Sequence, residues 1–411
     1  MGNGPTGSFE VNDVEADLAV IGCGVIGASC AYHAARRGLK VVMIDAAMPT
    51  AGTSGSCDGY VAVSSKKPGL MMQLAIASQA RFRELVRELR LDFEYDPAGG
   101  MLLCEDEAVR DKVAPQVEAV RAQGIAMPFL DRSRMLALEP NLSPQLFGAF
   151  HIPSEAIVNP YLLNLALVDG AIEHGAEPLW HTRPQAFDVA GDEIRAIKTT
   201  SGMVRAAQVV ICAGVWSGEV GRLAGIELPV VPRRGEIVVT ERGAGLVRHY
   251  LQSGRYIAAK ADATSAEAAQ DLPSRLGHGF VLEVNAQGQC IIGSTRAFVG
   301  FDRRTTPEGI AVIVQEALKR VPALASIQVL RSFAGLRPFV PDGRPIIGRS
   351  RRIRNLLVAT GHEGDGIALS AITGVLIADL ATGRPPVLDI APLSPDRFAT
   401  KAGVATARQS A

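Results

Sequence analysis

Hydrophobic and polar positions along the chain predict strands and helices that alternate over much of its length. Short apolar runs bounded by Gly, Asp or Pro predict buried strands at residues 18–21, 41–44, 101–103, 209–211 and 356–360, with further strands between 185 and 212. Apolar residues at helical spacing predict helices over 70–91, 107–123, 161–174 and 367–380, and another that begins at Trp216 and Ser217. From residue 229 to 300 the pattern changes to short β runs at 236–240, 280–284 and 289–293. This change predicts a separate, mostly antiparallel sheet.

The first strand, helix and strand carry a glycine pattern that is typical of a dinucleotide site. Gly22, Gly24 and Gly27 follow the apolar run 18–21 in G-x-G-x-x-G order, and Asp45 ends the next strand. In this pattern the first glycine permits a tight turn, the second lets a pyrophosphate approach the backbone, and the third lets the helix pack closely. Asp45 is placed to accept hydrogen bonds from a ribose diol, and the helix N-terminus to bind the phosphates. We therefore predict a dinucleotide site here, the alternative being a glycine-rich turn without a ligand.

Composition narrows the class of protein. The 411 residues are enough for two domains, and 42 basic residues balance 42 acidic ones, so no dominant field favours a nucleic-acid partner. The six cysteines include no C-x-x-C pair, which argues against an iron–sulfur or structural zinc site. Cys57, in a glycine and serine loop, is the one cysteine considered for reactivity, although a structural role is favoured.

Targeting signals are not evident in the sequence. The longest apolar helical candidate, 367–380, is too short to span a bilayer, so we expect no transmembrane segment. The N-terminus lacks a basic region followed by an apolar stretch, which favours a cytoplasmic location. Residues 1–14 are expected to form a disordered leader, and the nominal myristoylation pattern at 1–6 carries little weight.

Three further segments have side chains or backbone suited to a ligand. Residues 51–60 are small and hydrogen-bonding, so they can wrap around a cofactor or form a plain surface loop. Lys66 and Lys67 could touch a phosphate or acidic group, but a solvated turn is favoured. A second glycine turn, 361–366, precedes the helix 367–380, whose N-terminus can stabilise negative charge.

Five motifs, taken in order, resemble the D-amino-acid oxidase family of FAD-dependent amine oxidases and dehydrogenases, which includes glycine oxidase and sarcosine oxidase. They are the glycine motif with Asp45, the loop 53–59, residues 213–216, residues 335–338 with 341–343, and residues 361–362 with 366. The resemblance covers nearly all of the chain. It implies an α+β or α/β fold with a GR2-like, Rossmann-type FAD-binding domain and a mostly antiparallel β-sheet substrate domain. The expected FAD domain comprises 15–70, 150–225 and 330–400, and the substrate domain 71–149 and 226–329.

The resemblance also implies site residues, and the sequence adds others. Arg337 is a catalytic candidate from the family motif, and His362 is another, the alternative for it being a structural role in the glycine loop. Tyr256 is a third candidate and His278 a further pocket residue, both because they lie in the β region. The FAD-binding candidates are Gly22, Gly24, Val25, Ile26, Gly27, Asp45, Ala46, Thr53, Ser54, Cys57, Asp58, Gly59, Ala213, Gly214, Trp216, Arg337, Gly361, His362, Glu363, Gly364, Asp365, Gly366 and Ile367. The second helix N-terminus would face the part of the flavin that becomes negative on reduction.

Departures from family patterns limit what the resemblance implies. Monomeric sarcosine oxidases attach FAD to a cysteine near the position of Arg337 and Pro338, where this chain has none, so we expect non-covalent FAD. Ala368 stands where those enzymes use a lysine for the substrate carboxylate, which argues against sarcosine. Glycine oxidase has an arginine where Gly364 stands, so Arg337 alone is carried over.

Residues 233–242 and 361–369 are most similar to the catalytic β-type subunits of opine, proline and D-hydroxyproline dehydrogenases. Such a resemblance implies partner subunits, namely a larger flavin- or nucleotide-binding subunit and a small iron–sulfur subunit. FMN at a subunit interface is left open as a second cofactor.

The implied reaction is oxidation of the C–N bond of an amino acid or opine, with hydride transfer to flavin N5 and hydrolysis of the resulting imine. Arg337 would hold the substrate carboxylate, the alternative being an ordinary ion pair. Glu363 and Asp365 would bind a cationic arm of the substrate or cap the following helix. Electrons would pass to a partner; a self-sufficient oxidase and a non-catalytic flavin-holding subunit are the alternatives. A glycerol-phosphate dehydrogenase is disfavoured because no basic cluster for a phosphate is evident.

Overall fold

Two eight-stranded sheets organise the residues described by this computed structural model, which are 13–243, 245–261 and 271–398. The strands are β1 (Val14–Ile21), β2 (Val41–Ile44), β3 (Tyr60–Val61), β4 (Gly100–Cys104), β5 (Phe129–Asp131), β6 (Gly148–Ile152), β7 (Ala156–Ile157), β8 (Glu177–Leu179), β9 (Pro184–Ala190), β10 (Glu193–Thr199), β11 (Gly202–Ile211), β12 (Val231–Arg242), β13 (Tyr250–Ser253), β14 (Val281–Val284), β15 (Gln289–Gly293), β16 (Val329–Phe339), β17 (Ile346–Arg349) and β18 (Leu356–Thr360). The helices are α1 (Val25–Ala35), α2 (Leu70–Glu88), α3 (Glu107–Arg121), α4 (Arg132–Leu138), α5 (Pro160–Glu173), α6 (Ser217–Leu223), α7 (Gly254–Ala261), α8 (Leu272–Arg275), α9 (Pro307–Arg320) and α10 (Gly366–Ala381).

The first sheet has the order β17-β18-β11-β1-β2-β8, with β10 and β9 continuing from β11. Its centre is parallel: β1 pairs with β2 and β11, and β11 pairs with β18. Residues 18–21 of β1 are fully buried because apolar clusters cover both faces of the sheet. This arrangement confirms the predicted Rossmann-type fold, in which the carboxyl ends of parallel strands meet at one edge.

The helix α10 lies at the centre of the helical layer on the first sheet. It crosses α1 so closely that a Cβ on Gly374 would lie 2.2 Å from the Ser29 Oγ. Together with the turn before it, residues 363–381 form the one helix in the described part of the chain that is long and apolar enough to cross a membrane. Because 72% of its apolar window is buried inside the protein, it has the character of a core helix. The sequence estimate of 367–380 was too short.

The second sheet has the order β16-β12-β15-β14-β13-β4-β6-β5. Its neighbouring strands are antiparallel except for the parallel pair β4 and β13, so the predicted mostly antiparallel sheet is confirmed. The helix α9 packs on it through Ile313 and Ala317.

The boundaries of the predicted segments differ from the structure in three places. β16 pairs with β12 in the second sheet, although the expected boundary at residue 330 assigned most of it to the FAD domain. α2 packs with α10 on the first sheet, although it was assigned to the substrate domain. β1 begins at Val14, inside the expected leader 1–14, because Val14 and its neighbours pair with β11. The expected disorder and myristoylation pattern in 1–12, and the end of the FAD domain at 400, lie outside the described residues.

Candidate active site

A cavity of about 740 Å³ lies where the two sheets face each other. The carboxyl ends of the first sheet reach it through Ile21, Ile44, Cys212 and Thr360, which end or follow β1, β2, β11 and β18. The second sheet contributes side chains of β12, β13, β14 and β16. The volume of the cavity falls within the roughly 300–1,000 Å³ typical of ligand sites. The cavity lies at the carboxyl edge of the first sheet, where open α/β sheets bind ligands.

One end of the cavity, which we call the nucleotide end, is formed by the glycine turn between β1 and α1. Gly22 has φ +93°, a left-handed conformation that favours glycine. A Cβ on Gly27 would lie 1.8 Å from the Gly22 carbonyl oxygen, so the helix can approach the turn only without a side chain. Ser54 Oγ accepts a hydrogen bond of 2.9 Å from the Val25 N–H at the start of α1. The turn and the 53–59 loop therefore hold each other in place.

Asp45 ends β2 beside this turn, and its carboxylate is held by the backbone. Its Oδ2 accepts from the Cys23 N–H at 2.6 Å and its Oδ1 from the Ala47 N–H at 2.9 Å. Asp45 lines the cavity, and each carboxylate oxygen can accept a second hydrogen bond. The carboxylate is thus fixed in place with acceptor capacity to spare.

The structure gathers nearly all of the predicted site residues around this cavity. Those that line it are Gly22, Gly24, Val25, Ile26, Asp45, Ala46, Thr53, Ser54, Cys57, Asp58, Ala213, Gly214, Trp216, Tyr256, Arg337, Gly361, His362, Glu363, Gly364, Asp365, Gly366 and Ile367. Gly27 and Gly59 do not line it. Both are glycines because backbone atoms approach them: a Cβ would lie 1.8 Å from a carbonyl oxygen in each case, that of Gly22 and that of Val158.

Arg337, on β16, lies at the other end of the cavity, which we call the substrate end. Its guanidinium donates to the Thr295 carbonyl oxygen at 3.1 Å and to Ser294 Oγ at 2.7 Å, both uncharged acceptors. Among the described residues the nearest carboxylate is that of Glu363, 3.9 Å from the Arg337 Nε, and the Arg337 side chain is 15% exposed. Burial, and next the charge of Arg296, lower the pKa of Arg337. Arg337 therefore has a long ion pair with Glu363, in line with the expected alternative, but its hydrogen bonds go to uncharged acceptors.

The turn 361–366 carries a buried histidine. His362 Nε2 lies 3.1 Å from Thr373 Oγ1, and burial lowers the pKa of the imidazole to about 4. His362 is therefore neutral near pH 7. It presents a hydrogen-bonding ring, not a positive charge, to this part of the cavity.

The two carboxylates of the same turn pair with cations of the chain. Glu363 forms an ion pair with Arg233 and has φ +52°, a left-handed conformation unusual for a non-glycine residue. Asp365 lies 2.8 Å from Lys66 Nζ. Asp365 occupies the position before α10 without a side-chain capping bond, so the predicted capping role is wrong for it.

Lys66 is buried, whereas Lys67 is exposed. The favoured interpretation, that both lysines belong to a solvated turn, is therefore wrong for Lys66. Lys66 lines the cavity and forms an ion pair with Asp365. The carbonyl oxygens of Ser64 and Lys66 each accept a 2.7 Å bond from Gln116 Nε2, which anchors this turn. No local pattern indicates this pair, because Asp365 lies 299 positions from Lys66 along the chain.

The profile of the family described as FAD dependent oxidoreductase matches residues 17–380. The chain belongs to this family. It is 31% identical to the hydrogen cyanide synthase subunit HcnC of Pseudomonas protegens, over 93% of this chain and 96% of that protein. It is 29% identical to the glycine oxidase of Geobacillus kaustophilus, over 94% and 98%. The crystal structure of glycine oxidase from Geobacillus kaustophilus has a TM-score of 0.82, with 27% identity over 93% of this chain and 99% of that one.

This oxidoreductase is therefore an FAD-dependent enzyme that oxidises amines or amino acids. The residues present fit FAD. The glycine turn leaves no room for side chains, the Asp45 carboxylate has free acceptor capacity, and the start of α10 lies at the same cavity. The cavity also extends past these groups to Arg337, so it offers space for a substrate beside the cofactor.

Several residues of the substrate end were not found from the sequence. Arg296 lines the cavity, donates to the Tyr256 hydroxyl at 2.5 Å, and places its guanidinium 4.3 Å from the centroid of that ring. Tyr60 and Tyr250 also line it and stack at 3.5 Å between ring centroids. An aromatic residue in a strand that faces another sheet would have indicated Tyr60 and Tyr250. The sequence of one strand does not show which sheet it will face, so this signal could not be recognised.

Two carboxyl groups lie beside the stacked tyrosines, that of the half-buried Asp58 and that of the buried Glu283. Tyr250 donates to Asp58 Oδ2 at 3.2 Å, and Gly59 N–H donates to both oxygens of Glu283. Burial raises the pKa of Asp58 and, together with the charge of Asp58, that of Glu283. Of the two, Asp58 faces the cavity.

Two other candidates from the sequence have structural surroundings. His278 does not line the cavity: it is half-buried, and this burial lowers its pKa to about 4, with Glu316 and Arg320 among the nearby charges. Burial also raises the pKa of the Cys57 thiol, which disfavours the reactive thiolate. These environments agree with the favoured structural role for Cys57 and differ from the expected pocket role for His278.

Proposed function

We propose that this oxidoreductase oxidises the C–N bond of an amino acid or an opine and that Arg337 binds the substrate carboxylate. The single observation that carries the proposal is the guanidinium of Arg337 in the cavity, hydrogen-bonded to uncharged acceptors and without a carboxylate closer than 3.9 Å among the described residues. A planar guanidinium in this state is suited to bind a carboxylate with two hydrogen bonds. When bound, FAD supplies the acceptor for the hydride of the substrate.

Side chains and backbone groups of the protein would orient the substrate, limit the access of water and hold FAD. Arg337 orients the substrate so that its reacting carbon faces the cofactor, and the apolar walls limit the access of water. The neutral His362 keeps positive charge away from its side of the cavity, and Tyr256 holds the Arg296 guanidinium. The glycine turn, Asp45, the 53–59 loop and the 361–367 segment would hold FAD non-covalently, and the two sheets would correspond to an FAD-binding and a substrate-binding domain.

We include a partner subunit as electron acceptor in the proposal. The name of HcnC describes a subunit of hydrogen cyanide synthase, and residues 233–242 resemble β-type dehydrogenase subunits, which supports an assembly with a larger flavin- or nucleotide-binding subunit and a small iron–sulfur subunit. FMN at an interface and a cytoplasmic location belong to the same proposal. The competing function is a self-sufficient oxidase, which the glycine oxidase relatives favour.

The test is anaerobic mixing of the purified FAD-loaded chain with a panel of amino acids and opines, followed by bleaching of the oxidised flavin absorbance. We expect at least one amine to bleach the flavin, and Arg337→Lys to lower the apparent second-order rate constant about 100-fold, because a lysine cannot form the paired hydrogen bonds. A panel that leaves the flavin oxidised would overturn the catalytic proposal and favour a non-catalytic flavin-holding subunit.

A second measurement decides the electron acceptor. In air-saturated buffer, a dehydrogenase forms little peroxide and reduces an artificial acceptor faster than oxygen. Stoichiometric peroxide from the isolated chain would assign it to the oxidases. The variant Arg304→Gln is the matched control, because Arg304 is 87% exposed and pairs with Asp302 outside the cavity.

A further inference from the structure

Two arginines at the substrate end have no carboxylate within hydrogen-bonding distance among the described residues. Arg337 donates to Thr295 and Ser294, and Arg296, the next residue along the same segment, donates to the Gly277 carbonyl oxygen at 2.9 Å and to Tyr256. Within the described part of the chain, the shortest ion pair of either guanidinium is the 3.9 Å contact of Arg337 with Glu363. Both guanidiniums line the same cavity.

The nearby carboxylates are already used by other cations. Glu363 is in closer contact with Arg233 than with Arg337, and Asp365 is paired with Lys66. Among the described residues that line this end, Asp58 is the remaining acid, and it accepts from Tyr250. In this described set, the two cations Arg296 and Arg337 therefore face one acid without a close cation, which is Asp58.

Like charges confined in a mostly buried space repel each other, and an anion between them relieves the repulsion. This repulsion is one cause of the lowered pKa of Arg337, which burial and, next, the charge of Arg296 bring about. A substrate with one amine and one carboxylate is a neutral zwitterion and leaves this surplus unchanged. A substrate with one protonated amine and two carboxylates carries a net negative charge and matches it.

Building on the proposed function, we infer that the substrate is an amine flanked by two carboxylates, or an amino acid with an acidic side chain, and that Arg296 binds the second carboxylate while Arg337 binds the first. Tyr256 is a positioning residue in this arrangement: its ring and hydroxyl hold the Arg296 guanidinium within the cavity. Asp58 lies where it can face the amine, since it lines the same end of the cavity.

The test compares substrates that differ by one carboxylate. Iminodiacetate and N-methylglycine are both secondary amines, as are an N-(1-carboxyethyl) amino acid and its N-ethyl counterpart; D- and L-glutamate are compared with D- and L-2-aminobutyrate. We expect the dicarboxylate of at least one pair to reduce the flavin of the holoenzyme with a second-order rate constant about 10- to 100-fold higher, the gain typical of a charge-assisted bond. In Arg296→Gln that ratio should fall towards one, whereas Arg304→Gln should keep it.

A binding measurement supplies a readout that does not depend on turnover. Malonate and succinate should perturb the flavin spectrum of the holoenzyme with dissociation constants about 10-fold or more below those of acetate and propionate, and Arg296→Gln should remove this difference. Tyr256→Phe retains the ring but loses the hydroxyl, so it should weaken the preference partially.

The outcomes separate this inference from the proposed function. Flavin reduction by amines with no dicarboxylate preference in either assay would overturn the inference alone. A shift of the flavin reduction potential in Arg296→Gln with an unchanged preference would also overturn it, because Arg296 would then serve the cofactor. Arg296-dependent binding of dicarboxylates without reduction by any amine would support the inference and refute the proposed function.

Discussion

The two ends of the cavity are built in different ways. The nucleotide end depends on backbone geometry: Gly22 has a left-handed φ, and Gly27 leaves room for a carbonyl oxygen. The substrate end depends on long side chains, such as Arg296 and Arg337, brought together by strands of the second sheet and the segment after β15. A backbone site tolerates almost no added volume, whereas a side-chain site can be displaced without loss of the fold. This difference separates cofactor retention from substrate selectivity and can be tested at each end.

The largest effect is expected at the nucleotide end. In Gly27→Val the new side chain would begin 1.8 Å from the Gly22 carbonyl oxygen, so either the turn or α1 must move. We expect a loss of roughly 3–5 kcal/mol in stability and failure to retain FAD, measured by thermal unfolding and by the ratio of flavin to protein absorbance. In the control Gly52→Ala, the added Cβ meets only the Trp216 ring at 3.6 Å, so flavin should be retained. If Gly27→Val retained its full flavin content, FAD binding at the nucleotide end would not depend on the close contact between Gly27 and the Gly22 carbonyl oxygen.

An intermediate effect is expected from a single methyl group at the substrate end. A Cβ on Gly235 would lie 2.1 Å from Arg337 Nη1, the movable end of a side chain, so the guanidinium must shift while the strands remain paired. We expect kcat/KM of Gly235→Ala to fall about 10- to 100-fold with unchanged flavin content, measured by steady-state kinetics on the best amine of the panel. Gly243→Ala is the matched control, because Gly243 lies outside the cavity and its Cβ would contact Ile327 Cδ1 at an ordinary 3.6 Å. Equal losses in both variants would contradict a specific role for the guanidinium position.

The smallest effect, taken per pH unit, is a pH dependence of stability that has opposite sign at two buried groups outside the cavity, Glu155 and His33. Burial raises the pKa of Glu155, whose carboxyl accepts from Tyr60 and the backbone, to about 8. Between about pH 4.5 and 8 the folded protein keeps a proton that the unfolded chain has lost, so the unfolding free energy falls as pH rises, by up to about 1.4 kcal/mol per pH unit for this group. Glu155→Gln should remove this contribution in urea titrations at pH 5 to 8, whereas Glu118→Gln, on the exposed face of α3, should not.

His33, a buried residue within α1, acts in the opposite direction. Burial lowers the pKa of His33 to about 3, and its ring bonds Ser29 and Arg81. Because the unfolded chain binds the proton first, this group lowers the unfolding free energy as pH falls below about 6.5. The test of Glu155 would fail if Glu155→Gln left the slope of unfolding free energy against pH unchanged. The Glu155 carboxyl would then be ionised in the folded protein.

The difference between the two ends of the cavity also explains which features could be predicted from the sequence. The turn with Gly22, Gly24 and Asp45 could be identified because its parts lie within one strand, helix and strand, and local spacing determines their geometry. The strands 41–44 and 356–360 were predicted with their final bounds because both are short and buried and are apolar except for Thr360. Arg337 was found through a motif of the family, not through its contacts.

The remainder of the substrate end could not be predicted because its contacts join distant positions. Lys66 meets Asp365, and Asp58 meets Tyr250, only after two sheets have formed and faced each other. No local pattern distinguishes a buried lysine on such a turn from a solvated one. The position of β16 was missed for the same reason: its apolar pattern suits either sheet, and its pairing with β12 decides.

The central position of α10 has a consequence for how the protein is made. This helix packs on α1 and α2, which leave the ribosome hundreds of residues earlier, and it is apolar enough over 363–381 to resemble a membrane segment while it is uncovered. The nascent chain must therefore hold an incomplete nucleotide-binding core until residue 381 has been synthesised, a state prone to aggregation and to capture by chaperones. An N-terminal fragment that stops before Gly366 lacks this helix, so it cannot serve as an autonomous FAD-binding module for fusion or split-protein designs.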